Sequence, residues 1–575
     1  MKIRAVMITA LCLLALGACR QSTEPAAVTQ PGAEPQAAPA TPISLENARP
    51  VTEIERMLAE IAELSSDAYG GRSPMSEGER LTLEFIESRF RDLGLQPLFG
   101  DSFLQPVDLV SIEADPATVQ MTFHLDGKDR LVRYQEEMVA GTMRAVAESK
   151  VESSEIVFVG YGIVAPEYGW NDYADVDVRG KTVLILINDP GFATQDPALF
   201  KGNAMTYYGR WSYKYEEAAR QGAAGAILIH TTESAGYPFQ VVQSSWTTER
   251  FDLPRQPGGN PPLALKAWVS QDAAKKILSM AGQDLAALQK AATARDFKPV
   301  PLGVRVSTEL EQKLRRLESP NVVGVLPGSD PKGKNEYVIY TAHHDHLGIG
   351  KDKNGDNIYN GALDNATGVA GLLAIAEAMV EAAKVTPPKR SQVFLAVTAE
   401  EQGLLGALYY ARNPIFPPAQ TVANINMDGL NTVGPTRDMA QVGNGKSELD
   451  EVAAAVARAR GLALKPDQFP EQGFFYRSDQ FAFAQAGIPA LYFDNGLEVI
   501  GKPEGYGKQK ADEYVANDYH QPSDVIKPDW DWRGTEQMAE YLFAVGWEVA
   551  NSGRWYEWNP TAEFRAAREA SRKKR

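Results

Sequence analysis

Three apolar runs in this chain each lead straight into a cluster of acids and histidines. Tyr337-Val338-Ile339-Tyr340 runs into Thr341-Ala342-His343-His344-Asp345-His346. Val393-Phe394-Leu395-Ala396-Val397 precedes Ala399-Glu400-Glu401, and Thr421-Val422-Ala423-Asn424-Ile425 ends at Asn426-Met427-Asp428. A fourth cluster, Gly361-Ala362-Leu363-Asp364-Asn365-Ala366-Thr367-Gly368, opens a helical segment. Short continuous apolar runs are what strands buried on both faces of a parallel sheet require. In an open α/β sheet, ligands bind beyond the carboxyl ends of the strands. The pattern therefore constrains fold and site together: an α/β sheet, with carboxylates and imidazoles gathered at one edge as in a metal site.

Zinc takes histidine nitrogen and carboxylate oxygen, and a catalytic site keeps one position open. A pair of metals about 3.5–4 Å apart needs a shared carboxylate plus terminal ligands on each side. The chain offers His343, Asp364, Glu401, Asp428 and, further on, His520. Glu400, beside Glu401, is left as a general base, because successive strand-end side chains point to opposite sides.

The order H-x-D, G-A-x-D-N-A-[ST]-G-V, E-E-x-G-x-x-G, N-x-D and a late Tyr-His resembles the M28 metallopeptidases, co-catalytic two-zinc aminopeptidases and related carboxypeptidases. The resemblance runs from about Ser319 to about Trp547, with a further piece at Ala68-Tyr69-Gly70-Gly71-Arg72 and residues 85–94. It implies a three-layer mixed sheet with helices on both faces and two Zn2+ ions. Residue by residue, it implies that His343 and Asp428 are terminal ligands of one zinc, Asp364 the bridge, and Glu401 and His520 the ligands of the other. By the same likeness Asp345 orients His343, Glu400 is the general base, and Tyr519 donates to the oxyanion.

Other residues near these motifs are read less specifically. His344 and His346 flank the ligand and are given pocket or supporting roles. Asp352-Lys353-Asn354-Gly355-Asp356 lacks the glycine and glutamate positions of a calcium loop and reads as a hairpin-like turn. Arg477-Ser478-Asp479-Gln480 followed by Ala486-Gly487-Ile488-Pro489-Ala490-Leu491 resembles a family segment in which histidine is common where Gln480 stands. Arg477 is a candidate for holding a substrate carbonyl or carboxylate.

The start of the chain has a basic Lys2 and Arg4, then an apolar run too short to span a bilayer. Leu16-Gly17-Ala18-Cys19 resembles a bacterial lipobox, giving a signal peptide over 1–18 and a lipidated Cys19. Arg20 in place of Asp favours the outer membrane, facing the periplasm. Cys12 and Cys19 are the only cysteines, so none is left for a disulfide or for catalysis. Residues 19–45, rich in Pro, Ala, Gln and Thr, read as a disordered tether. No other apolar stretch is read as long enough to span a membrane, so contact with the membrane is through lipid alone.

Amphipathic helices are expected over 51–64 and 79–93, within an N-terminal part of the catalytic domain at 46–110. Residues 111–315 carry short β-rich runs and resemble an inserted protease-associated (PA) domain. The aromatic stretch 207–215 there suits a substrate wall or a core. The catalytic domain occupies 316–552. In the tail, 553–575, Trp555, Tyr556 and Trp558 are expected to dock and the basic end to fray in solvent. The net charge of −16, with basic residues concentrated only in the short tail, speaks against nucleic acid, and an acidic site edge would suit a free α-amine. The resulting expectation is an aminopeptidase. The alternatives are a carboxypeptidase on the same scaffold, a one-zinc glutaminyl cyclase, and a binding module without activity, which the complete ligand set and Glu400 oppose.

Overall fold

The computed structural model describes residues 54–246, 249–254, 262–353 and 355–573. The signal-like segment, Cys19 and the tether lie outside the described residues.

Eight strands form a mixed sheet in the order Leu104–Gln105, Asn321–Leu326, Ser391–Val397, Tyr337–His343, Thr421–Asn426, Ala490–Asp494, Asp438–Val442 and Ala463–Pro466. The central four are mutually parallel, with His343 opposite Val397 and Thr341 opposite Asn426. Their carboxyl ends therefore meet along one edge, and strand Tyr337–His343, flanked by later strands on both sides, lies at its middle.

Both faces are covered, which is why these strands read as unbroken apolar runs. On one face Ile339, Val393, Leu395 and Val397 pack against Ala407 and Tyr410 of helix Leu405–Arg412 and Ala482 and Phe483 of helix Gln480–Gln485. On the other, Tyr340 stacks on Phe394 at 5.2 Å. Helix Arg533–Asn551 crosses Tyr340 so closely that a Cβ at Gly546 would lie 2.0 Å from the Tyr340 hydroxyl.

Helix Thr367–Ala383, behind the Asp364 cluster, shares this second face and is buried almost all round. With the turn before it, Ala362–Ala383 is apolar and long enough to cross a membrane. This corrects the reading that no such stretch exists. A helix apolar on every side is also what a protein core demands, and here most of it is buried within the fold.

The amino-terminal helices span Ile54–Leu64 and Glu77–Asp92, the second capped by the Ser76 hydroxyl, which accepts from the Glu79 amide. Residues 108–318 build a second, ten-stranded sheet. Its long strand Val300–Glu318 pairs with three others and leads the chain back into the first sheet. The aromatic stretch is core: Tyr208 and Tyr213 are buried in this sheet's hydrophobic cluster, and Tyr215 in its neighbour.

Tyr556 and Trp558 of the tail are buried; Lys574 and Arg575, the last two residues of the basic end, lie outside the described residues. Residues Arg565–Arg572 form a helix whose Arg568 is fully buried and donates to the carbonyls of Pro418, Thr421 and Tyr556. A buried guanidinium needs acceptors, and the ends of neighbouring elements supply them.

Candidate metal centre

Three strand ends and one helix start supply the site. His343 is the last residue of its strand and is buried. Its Nδ1 donates to the Asp345 carbonyl at 3.2 Å, which turns Nε2 toward Asp364 and Asp428. Nε2 lies 3.3 Å from Asp364 Oδ1 and 3.3 Å from Asp428 Oδ1. On the far side of the same carboxylate, His520 Nε2 lies 3.3 Å from Asp364 Oδ2 and 3.0 Å from Glu401 Oε2. Asp364 thus presents one oxygen to each imidazole. Among the described residues, His343–Asp364–Asp428 and His346–Asp364–Glu401 are each close enough to share an ion.

The loops carrying these side chains are held by polar groups that are not themselves donors to the centre. Asp345, fully buried, accepts from the amides of Glu400 at 3.0 Å and Glu401 at 3.4 Å. That fixes the turn entered through Ala399, whose φ of 52° is uncommon for a residue with a Cβ. Asn365 donates to the carbonyls of His343 and Met427 and accepts from the amides of Gly368 and Gly429. Asp524 accepts from the Leu363 and Asp364 amides. Arg72 donates to the carbonyls of Leu64, His344, Asn360 and Gly361.

The electrostatics are those of a cation site. Burial would lower His343, yet Asp428 and Glu400 carry it well above the ordinary imidazole range. His520 is raised in the same way, chiefly by Glu401. Burial works to raise Asp364, but its bonds from both imidazoles hold it well below the carboxylate range. Glu401 opposes burial through His520 and falls to about 2. Glu400 is different: burial, reinforced by Asp428, Glu401 and Asp479, pushes it well above the usual range.

The donor set fits zinc. Bonds of about 2.0–2.2 Å at tetrahedral angles put neighbouring donors about 3.4 Å apart, and the imidazole–carboxylate separations here are 3.0–3.3 Å.

The structure brings together His343, Asp364, Glu401, Asp428 and His520. Glu400 lies within reach of the His343 and Glu401 donor atoms. Tyr519 stacks on the His520 ring at 3.9 Å, and Arg477 stands on the neighbouring 474–479 loop. His346 takes a specific place: its Nδ1 lies 2.6 Å from Glu401 Oε1. His344 instead faces the Pro320 carbonyl. Gln480 bonds Asn426 and the Phe475 carbonyl, where it is structural.

Asp524 escaped the sequence reading, and Asp479 was read only as part of the 477–480 segment, without a role of its own. Asp479 is fully buried, neither carboxyl oxygen has a partner among the described residues, and burial pushes its pKa well above the usual range. Asp524 lies in an ordinary polar loop, and only its distance of four residues from His520 hinted at a role.

Residues 321–546 match the family model of peptidase family M28. Among solved structures, an aminopeptidase from Aneurinibacillus sp. strain AM-1 is similar at 20% identity and a TM-score of 0.49, over 89% of this chain and 97% of that one. A zinc aminopeptidase from Bacillus subtilis is similar at 19% identity and 0.40, over 88% and 97%. A glutaminyl cyclase from Porphyromonas gingivalis is similar at 17% identity and 0.28, over 40% and 77%. No curated protein matches the chain.

Proposed function

We propose that this chain, a metallopeptidase whose residues 321–546 form a peptidase family M28 domain, is a co-catalytic two-zinc aminopeptidase. The observation that carries the reading is the divided Asp364 carboxylate, with His343 and Asp428 on one side and Glu401 and His520 on the other. Asp364 would lie between two ions, each with its own pair of terminal donors. Zinc in such a pair polarises a carbonyl oxygen and makes water acidic near neutral pH.

The protein's own groups do the rest. Glu400 takes the proton of the attacking water and passes it to the leaving nitrogen. Glu401 cannot do this work, because one oxygen faces His346 and the other His520. Asp345 keeps Glu400 and Glu401 in place through their amides, and through its carbonyl it fixes the tautomer of His343. The Tyr519 hydroxyl donates to the developing oxyanion, a contribution often worth about 10²–10³ in rate. The proposal includes location: acylated at Cys19, the chain is held at a bacterial outer membrane facing the periplasm, with peptides as substrates.

Elemental analysis of the purified protein should give about two zinc ions per chain, and aminoacyl anilides should be cleaved while their N-acetyl counterparts are not. One zinc per chain under zinc excess, with pyroglutamate formed from glutaminyl peptides, would establish the cyclase instead. Cleavage of N-blocked peptides at a free carboxyl end would establish the carboxypeptidase.

A further inference from the structure

Of the two further histidines beside His343, one touches the metal centre and the other does not. His344 sends its Nε2 to the Pro320 carbonyl at 3.1 Å. His346 turns the other way, and its Nδ1 lies 2.6 Å from Glu401 Oε1. A charged carboxylate only accepts, so Nδ1 is the donor. The pair is sealed from water, with the two side chains 0% and 3% exposed. Nε2 is buried without a partner among the described residues, so the bond to Glu401 is the one hydrogen bond the ring makes there.

The ring is wedged in one orientation. A Cβ at Gly361 would lie 2.6 Å from both Cγ and Cδ2 of His346, and Gly361, at a φ of 58°, sits in the left-handed region that glycine adopts readily. The Gly361 carbonyl accepts from the Arg72 guanidinium, and the His346 amide donates to the Arg72 carbonyl at 3.4 Å. The backbone against the ring and the backbone that carries it are thus tied to one arginine. Glu401 needs such a hold. The last torsion of a glutamate is broad and roughly two-fold, so a lone carboxyl can turn away from an ion. With Oε1 bonded to His346, Oε2 lies 3.0 Å from His520 Nε2, and Asp364 Oδ2 stands 3.3 Å from the same nitrogen. The carboxylate on the other side has no counterpart. Among the described residues only His343 bonds the Asp428 side chain, which is 21% exposed.

We infer that His346 is a positioning residue for one metal position and not the other: it holds Glu401 Oε1 so that Oε2 faces the ion shared with Asp364 and His520, a role that rests on the two-zinc reading above for the number of positions. Outer partners of this kind, when removed, typically cost about 10–100-fold in metal affinity. Here the loss should fall on the His520 side alone, because the ring reaches no donor of the His343–Asp428 pair through a hydrogen bond.

The test reads zinc affinity by chelator competition in two backgrounds, with the fold of each variant checked by circular dichroism. Asp428→Asn leaves the His520 side as the stronger position, and His520→Asn leaves the His343 side. His346→Leu keeps the bulk and removes the donor. It should weaken zinc by about 10–100-fold in the first background and leave it unchanged in the second. His346→Asn carries an amide nitrogen where Nδ1 stood and should restore the affinity. His346→Gln carries its nitrogen further out, in the place of Nε2, and should not. Where His346→Leu fails to fold, the contrast between His346→Asn and His346→Gln decides. Equal weakening in both backgrounds would make the ring a packing element and overturns the inference, as does His346→Asn binding no better than His346→Gln. Two zinc ions in the parent, both indifferent to His346→Leu, also overturn it and leave the two-zinc reading standing. One zinc per chain in the parent, weakened by His346→Leu and His346→Gln but not by His346→Asn, would keep the role of His346 and reject the two-zinc reading.

Discussion

Arg72 joins three parts of the chain distant in sequence, and its replacement tests how the centre is held. Its guanidinium donates to Leu64 at 2.7 Å, Asn360 at 2.6 Å, Gly361 at 2.8 Å and His344 at 3.2 Å, all carbonyls, and it is 1% exposed. Burial lowers it to about 10, opposed by Asp524, Asp364, Asp345 and Glu401, so it stays charged at neutral pH. Hydrogen bonds from a charged donor contribute about 1.5–3 kcal/mol each. A lysine has a single-point head in place of a fork and would leave about two of the four carbonyls without a donor. Arg72→Lys should therefore cost about 3–6 kcal/mol, a large share of the roughly 5–15 kcal/mol that stabilises a typical domain. The loss falls on the 343–346 and 360–364 loops, so bound zinc should fall along with stability. The assay is the thermal midpoint by near-ultraviolet circular dichroism, with zinc per chain measured after gel filtration. A midpoint within 1 °C of the parent, at full zinc content, would refute the reasoning.

Three further outcomes are expected. Glu400→Gln should keep both metals and the fold while losing nearly all turnover, whereas Glu401→Gln should lose a metal; near-normal activity in the first would sink the proposed base. The Glu60 carboxyl is raised by burial from its ordinary 4.5 to about 7, against the opposing pull of Arg89. It holds its proton more tightly folded than unfolded, so its contribution to stability is complete below pH 4.5 and is lost as the pH rises to about 7. Glu60→Gln should flatten the pH dependence of the denaturation midpoint in that window, and an unchanged slope would contradict the assignment. Cys19→Ser should move the protein from membrane to soluble fraction, since acyl chains supply the proposed anchor; a variant still sedimenting with membranes would count against it.

The first sheet could be read from the sequence because each central strand is buried on both faces and so written as an apolar run. The ligand positions could be read because a parallel sheet gathers its strand ends at one edge. What stayed hidden depends on pairings across long separations that no local pattern records. Asp524 acts 160 residues away, on Asp364. Arg568 acts 147 residues away, on Thr421, and no local pattern marked it out from the other arginines of the tail. The 205–207 turn likewise meets the 470–485 segment only in the folded chain. The membrane-length apolar segment shows the converse limit: composition alone does not separate a core helix from a spanning one, and the packing against Arg533–Asn551 decides it.

Four acids of the centre fall into two kinds, and the division follows from what surrounds them. Asp364 and Glu401 face imidazoles and are held in their charged forms, so they are available to a cation. Asp345 and Asp524 face backbone amides, and burial moves both up to about 6; their oxygens are already committed to the loops that carry the first kind. Were the amides of Glu400, Glu401, Leu363 and Asp364 bonded to water instead, each loop would keep its freedom at the edge of the sheet. Donor atoms could not then be held at the spacing a metal requires without a cost in ordering at every binding event. The holding acids transfer that ordering to folding, and the 3.0–3.3 Å separations around Asp364 are the result.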